Sequence, residues 1–276
     1  MLYHRDALFF NSAINCLTYI LILRNIRRIY VPYFLCAAVF HIIEQLGVEK
    51  VYYHIDSSFE PTTQPTLEKD EAFYYVNYWG LKQRCVVQLF NHYGSQLIVD
   101  NAQAFFSRPI GADTFYSAHK FYGVNNGAFL YLSKPQNDIS PSKNTAFAET
   151  ANCLKSCVVN TYNLLRRIDY SRAILRRHEN YLLLDNALKD INTLRLSFDD
   201  DSVPMVYPFW PEDSNLIKSR LHQKGFPTEQ FWPIVLELTH SNDIEYKITQ
   251  NMIPLFIGQD APCNYLKDLV ATIQGS

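Results

Sequence analysis

The sequence has almost no excess charge of either sign: 25 lysines and arginines stand against 27 aspartates and glutamates, for a net charge of −2 and a pI near 6.4. Nucleic-acid binders carry a basic patch or stripe, and this composition supplies none, so nucleic acid is not an expected partner. Long apolar runs are also missing. The most hydrophobic stretches are interrupted by Arg24, Arg27, Arg28 and Pro32, well short of the ~20 consecutive apolar residues that a membrane span needs. The opening Met-Leu-Tyr-His-Arg-Asp does not read as a secretion signal. The expectation is therefore a cytoplasmic protein with no membrane partner. Six cysteines (Cys16, Cys36, Cys85, Cys153, Cys157 and Cys263) are scattered, mostly within apolar runs, and read as reduced thiols rather than a disulfide framework. Cys153 and Cys157 are i,i+4 neighbours on an expected helix, but nothing nearby completes a tetrahedral ligand set, and no metal is expected. Internal repeats and low-complexity tracts are absent.

What remains is a chain of 276 residues, 48% hydrophobic and 19% charged, enough for a sizeable core in one large α/β domain or a larger domain with a smaller companion. Aromatics reach 14%, with 19 Tyr and 18 Phe, which suits buried subunit interfaces as well as a core. The patterning predicts helices at 12–23, 36–46 and 81–93, and strands at 27–32, 50–55, 72–78, 97–100, 114–117 and 127–132. Strands alternating with helices predict a mostly parallel sheet with helices on both faces, a three-layer α/β/α arrangement. Beyond the polar stretch "KPQNDISPSKN" the texture changes. Long helical segments over 147–190, a strand at 204–210, a helix at 212–224, a strand at 233–238 and a last helix near 262–274 predict a smaller α+β domain. The expected division is 1–140 and 141–276.

The stretch "IVDNAQAFFSRPIGADTFYSAHKFYG" (98–123) carries the chemistry. Asp100 ends one strand and Ser117 another, and in open α/β sheets ligands bind beyond the carboxyl ends of strands. Asp100 alone reads equally well as an N-cap of a following helix. Lys120 alone reads as a solvated surface lysine. A lysine that forms an imine needs partial desolvation or neighbouring positive charge to free its amine, and the aromatic flanks Tyr116, Phe121 and Tyr122 argue for a cleft.

The pattern D-x-A-Q … S-x-H-K-x-x-G … G-A-F-L-Y resembles the cofactor core of the fold type I pyridoxal-phosphate enzymes. The upstream segments "NSAINCLTYIL", "IYVPYFLC" and "YYHID" and the tail "QNMIPLFIGQD" are similar to the DegT/DnrJ/EryC1/StrS sugar aminotransferases. The resemblance runs through residues 8–272. It implies a seven-stranded-type sheet with a small C-terminal domain, pyridoxal 5′-phosphate as cofactor, and transfer of an amino group from an amino acid, with glutamate the expected donor, to a keto-sugar nucleotide in surface-polysaccharide or amino-sugar biosynthesis. It further implies a homodimer.

The resemblance also implies roles. Lys120 holds the cofactor as an imine and then moves the substrate proton. Asp100 pairs with the pyridine nitrogen and keeps the ring an electron sink. Gln103 lies against the ring or reaches its phenolic oxygen, with a solvated helix residue as the plain alternative. Ser117 bonds the phosphate, and the helix start at Ser12 and Ala13 offers it backbone amides; a strand-end turn and a simple Ser-capped helix are the plain readings. Cys36 falls near the ring face, where a structural thiol is nearly as good a reading. His119 resembles the S-x-H-K histidine of cysteine-desulfurase-like enzymes, and Asn77 and Tyr78 could edge the substrate pocket or simply pack. Asn163 is the candidate for the phosphate contact that such families take from the partner subunit.

Departures from the pattern are concentrated at the phosphate end. Ala13 replaces the usual glycine, Ile14 stands where a polar residue is common, and Ala128 follows Gly127 where a second glycine is frequent. The helix start also lies closer to residue 1 than in family members. Two alternatives therefore stay open: another pyridoxal-phosphate reaction, such as a lyase or desulfurase, which "SAHK" favours, or a truncated non-catalytic relative. A desulfurase needs a mobile nucleophilic cysteine late in the chain, and Cys263 in "QDAPCNYLKD" does not look like one.

Overall fold

Two adjacent strands, β4 (Glu71–Val76) and β5 (Leu97–Asn101), are buried at every position. Strands buried on both of their alternating faces need cover on both sheet faces, as central parallel strands have. The computed structural model, which describes residues 1–134, 160–262 and 264–275, builds the rest of a sheet around them. The first part of the chain runs β1 (Leu8–Phe10), α1 (Ala13–Leu23), β2 (Arg28–Pro32), α2 (Ala37–Gln45), β3 (Glu49–Tyr53), β4, α3 (Gln83–Tyr93), β5, β6 (Asp113–Ser117), α4 (His119–Tyr122) and β7 (Ala128–Tyr131). The seven strands take the order β1-β7-β6-β5-β4-β2-β3. From β3 to β6 all pairs are parallel, while β7 is antiparallel to both β6 and β1. This is the mostly parallel α/β sheet that the strand–helix alternation predicts, with the seven strands that the resemblance implies.

The aromatic surplus goes largely into this core. Tyr53, Phe73 and Tyr93 form a continuous stack with ring centroids 4.7 and 4.6 Å apart, and Tyr74, Tyr75, Tyr78 and Trp79 are fully buried. The strand expected over 72–78 ends at Val76 because Trp79 takes a left-handed backbone (φ 54°) and Gly80 follows it at φ 80°. A side chain at Gly80 would stand 3.1 Å from the Val203 carbonyl, so the chain turns here against its own later segment.

That later segment contains α5 (Tyr170–Leu188), β8 (Val206–Phe209), α6 (Ser214–Gln223), α7 (Val235–Leu238), α8 (Ile244–Asn251), β9 (Ile253–Phe256) and α9 (Tyr265–Gln274), with β8 and β9 paired antiparallel. Two expectations are corrected. The strand expected at 233–238 is the single helical turn α7, closed by bonds such as Leu236 N to Pro233 O at 3.0 Å. A six-residue apolar run does not distinguish strand from helix by period, and here Pro233 starts a turn. The short strand β1 was not expected, and it edges the sheet through β7. Of the helical stretch expected at 147–190, residues 160–165 and α5 are helical. Residues 166–169 break the helix as a turn, and 147–159 lie outside the described residues, as do Cys153, Cys157, Cys263 and the expected boundary at 140. Among the described residues no helix is long and apolar enough to cross a membrane.

At the amino-terminal edge of β6, Arg24 grips Asp113 with both arms: Nε to Oδ2 at 2.8 Å and Nη2 to Oδ1 at 2.9 Å. Asp113 is 1% exposed. Removing one partner of such a pair leaves an uncompensated buried charge, so Arg24→Met should lower stability by about 3 kcal/mol in urea unfolding. A loss under about 1 kcal/mol would mark the pair as an ordinary surface bridge.

Candidate active site

The parallel register pairs Asp100 with Phe115 and Asn101 with Tyr116, so β5 and β6 finish side by side. Asp100 at the end of β5 is 8% exposed, and Ser117 ends β6 equally buried. No helix follows Asp100, which removes the N-cap reading. Its Oδ1 instead accepts the Ala102 backbone N–H at 2.7 Å, and its Oδ2 accepts the Tyr74 hydroxyl at 2.6 Å. Burial pushes the Asp100 carboxyl above the usual carboxylate range, and the Lys120 ammonium, the Tyr74 hydroxyl and the Ala102 amide pull it back down. The lysine 20 positions later in sequence is thus within electrostatic reach of the carboxylate.

Lys120 sits in α4, which begins directly after β6 and closes on Gly123 in the left-handed region (φ 60°). The lysine is exposed, contrary to the desolvated setting that its aromatic neighbours suggested. The reason is local. In this short helix Phe121 turns inward while His119 and Lys120 turn outward. Lys120 makes no hydrogen bond or ion pair among the described residues. The helix that carries it is fastened from behind. Gln259 donates from Nε2 to the Phe121 carbonyl at 2.7 Å and accepts from Arg177 Nε at 2.7 Å. The Arg177 guanidinium lies 4.6 Å from the Phe121 ring centre, and burial pulls its pKa down to about 10.

Gln103 lies in the turn after β5 and is 1% exposed, so it is not a solvated helix residue. Its Oε1 accepts the Trp79 backbone N–H at 3.2 Å, while its Nε2 is buried with no partner. Because a backbone N–H can only donate, the bond from Trp79 fixes which end of the amide stays free: a donor. Ser12 caps α1, its Oγ accepting from Asn15 N at 3.2 Å, and the Asn11 carbonyl accepts from Gly127 N at 2.7 Å. That bond ties the start of α1 and Ala13 to the loop that follows Lys120. Gly127 has φ 109°, and a side chain there would meet Thr161 at 2.9 Å. The Ser117 hydroxyl has no hydrogen bond among the described residues. Cys36 stands at the N-cap of α2 without capping it, near enough to act electrostatically on the Tyr74 hydroxyl.

The three expected substrate residues differ in their surroundings. Asn77 is fully buried; its Nδ2 donates to Gln83 Oε1 (3.0 Å) and Ser107 Oγ (3.2 Å), and its Oδ1 accepts from Lys82 N (2.9 Å). Tyr78 is also buried and donates to the Phe34 carbonyl at 3.0 Å. The polar atoms of both are occupied inside the protein. His119 is exposed, with its Nδ1 on the Val124 carbonyl. Asn163 is exposed among the helical residues 160–165. Two residues that sequence reasoning did not single out, Tyr74 and Trp79, orient Asp100 and Gln103. Only strand pairing brings them there. Among the described residues no cluster suited to a metal ion exists.

The donor set fits pyridoxal phosphate. A buried carboxylate suits a protonated pyridine nitrogen, the orphaned Gln103 Nε2 needs an acceptor such as the ring's phenolic oxygen, and an unbonded lysine stands within reach of the carboxylate's field.

No protein-family model and no curated protein matches the sequence. Solved structures do match. DesV from S. venezuelae, solved in complex with a ketimine intermediate, is 16% identical, with TM-score 0.72 over 98% of this chain and 84% of that one. A DegT DnrJ EryC1 StrS aminotransferase from Brucella abortus is 15% identical, with TM-score 0.70 over 98% and 85%. The sugar aminotransferase Spr1654 of Streptococcus pneumoniae, described as putative, is 16% identical in its PLP form, with TM-score 0.73 over 99% and 88%. At such identities the likeness is one of fold, and it extends over nearly the whole chain. This chain has the fold of the DegT/DnrJ/EryC1/StrS sugar aminotransferases.

Proposed function

We propose that the protein is a pyridoxal-phosphate-dependent aminotransferase that moves an amino group from an amino acid, glutamate being the expected donor, to a keto-sugar nucleotide for surface-polysaccharide or amino-sugar synthesis. The observation that carries this reading is the placement of Asp100 at the end of β5 and of Lys120 in the helix that follows the adjacent parallel strand β6, within electrostatic reach of each other. When bound, the cofactor supplies an electron sink for a carbanion at the substrate's amine-bearing carbon.

The chain's own residues do the rest. Lys120, exposed and unbonded among the described residues, would hold the cofactor through its Nζ, and the same amine would take and return the substrate proton. Asp100 presents an ionised oxygen to the pyridine N–H, held in place by Tyr74 and Ala102. Gln103 donates from Nε2 to the phenolic oxygen. The Ser117 hydroxyl and the first amides of α1, at Ala13 and Ile14, receive the phosphate, since the first N–H groups of a helix lack internal partners. Cys36, which acts electrostatically on the Tyr74 hydroxyl, would stand near the ring. A second copy of the chain completes the site, with Asn163 the candidate for its contact.

Adding pyridoxal phosphate to the purified protein should produce an absorbance band at the edge of the visible that borohydride abolishes and that Lys120→Ala never forms. Glutamate should bleach this band; release of sulfide from cysteine instead would assign a desulfurase. A wild-type protein that takes up no pyridoxal phosphate would sink the proposal.

The buried carboxylate also makes a prediction for the cofactor-free protein. A carboxyl whose folded pKa is raised contributes stability at pH values below its unfolded pKa of about 3.9, and that contribution is lost as pH rises through the folded value. Asp100→Asn should therefore raise the melting temperature of the cofactor-free protein at neutral pH, by a margin that shrinks on acidification. A lower melting temperature at neutral pH would show that Asp100 is stabilised as an ion without any ring.

A further inference from the structure

Tyr74 is fully buried on β4, two residues before Val76, and Val76 is the register partner of Asp100. The diagonal neighbour across a strand pair is within reach of an aromatic side chain, and Tyr74 uses that reach to place its hydroxyl 2.6 Å from Asp100 Oδ2. Ala102 N–H holds the other oxygen at 2.7 Å. Each oxygen keeps one lone pair, so the carboxylate is clamped without being used up. We propose that Tyr74 is a positioning residue for the pyridine-nitrogen carboxylate, its hydroxyl fixing the orientation of Asp100 and stabilising its negative charge.

The surroundings leave this role to Tyr74 among the side chains. The groups that act on Asp100 or are acted on by it are Lys120 from α4, Tyr74 from β4, Cys16 from α1 and Tyr78 from the turn after β4. Cys36, at the start of α2, acts on Tyr74 itself. Burial pushes the Cys16 thiol and the Tyr78 phenol far up, so both stay neutral and neither compensates the carboxylate. Lys120 supplies charge but no hydrogen bond. On the functional reading above, that lysine is engaged with the cofactor and does not remain a fixed counter-ion. Tyr74 is then the one side chain that donates to Asp100 among the described residues. A hydrogen bond to an ionised acceptor is about twice as strong as a neutral one, and its loss raises the proton affinity of an already burdened carboxyl.

The test compares wild type, Tyr74→Phe, Asp100→Asn and the double variant, first without cofactor. Removing the hydroxyl raises the folded pKa of Asp100 further. Tyr74→Phe should therefore melt below wild type by a gap that widens as pH rises through the raised Asp100 pKa, above the ordinary carboxylate range, and this pH dependence should vanish in the Asp100→Asn background. With pyridoxal phosphate, Tyr74→Phe should bind about tenfold more weakly, and the pH midpoint of the bound chromophore should move. A gap that is constant with pH, or that persists unchanged beside Asp100→Asn, would assign Tyr74 to packing alone and overturn the proposal. Should Tyr74→Phe fail to fold, adding Asp100→Asn rescues it if the hydroxyl acts through the carboxylate and does not if it acts through packing. Wild-type protein that takes up no pyridoxal phosphate would sink the functional reading, while the cofactor-free arm still decides the role of Tyr74.

Discussion

One buried carboxylate sets the terms for the candidate site. Asp100 sits at 8% exposure, where an ion is costly, and among the described residues the Lys120 cation bears on it. A protein that needed only a strand end there would carry an apolar or a neutral side chain. The parallel pairing of β5 with β6 brings the lysine's helix alongside, and β4 contributes a phenol from below. Together these leave a clamped negative charge facing the carboxyl edge of the sheet, the place where α/β sheets hold ligands.

Around that charge, backbone strain and long-range bonds do the positioning. Trp79 holds a left-handed conformation that is costly for a bulky residue. The turn lets its N–H fix Gln103 and its carbonyl accept the Met205 N–H at 2.9 Å. Behind α4, Arg177 and Gln259 fasten the Phe121 backbone, so the element that carries Lys120 is braced by residues far along the chain. The later segment thus contributes rigidity to the sheet edge that carries Lys120.

Much of this was legible in the sequence, because the relevant signals are local. Alternation of apolar runs with helical periods marked the strands of the parallel sheet, the runs ending at Asp100 and Ser117 marked two strand ends, and the family resemblance singled out Gln103 and Lys120 beside them. What was not legible depends on tertiary pairing. No periodicity reveals that Tyr74 reaches Asp100, since that contact follows from the β4–β5 register. The outward turn of Lys120 comes from the single helical turn after β6, too short to leave a pattern. The helical turn at 235–238 defeated the strand expectation because a short apolar run suits either state. Asn77 and Tyr78, which looked free to edge a pocket, are consumed by bonds to Gln83, Ser107 and Phe34.

The claim that Asp100 and Lys120 embrace one pyridine ring is tested most directly by trapping the ring covalently and finding where it is attached. Wild-type protein is incubated with pyridoxal phosphate, reduced with borohydride, digested and mapped by mass spectrometry. The pyridoxyl mass should fall on the peptide bearing Lys120, with its yield strongly reduced in Asp100→Ala. Labelling of another lysine such as Lys82, or equal labelling of Lys120 with and without Asp100, would contradict the claim.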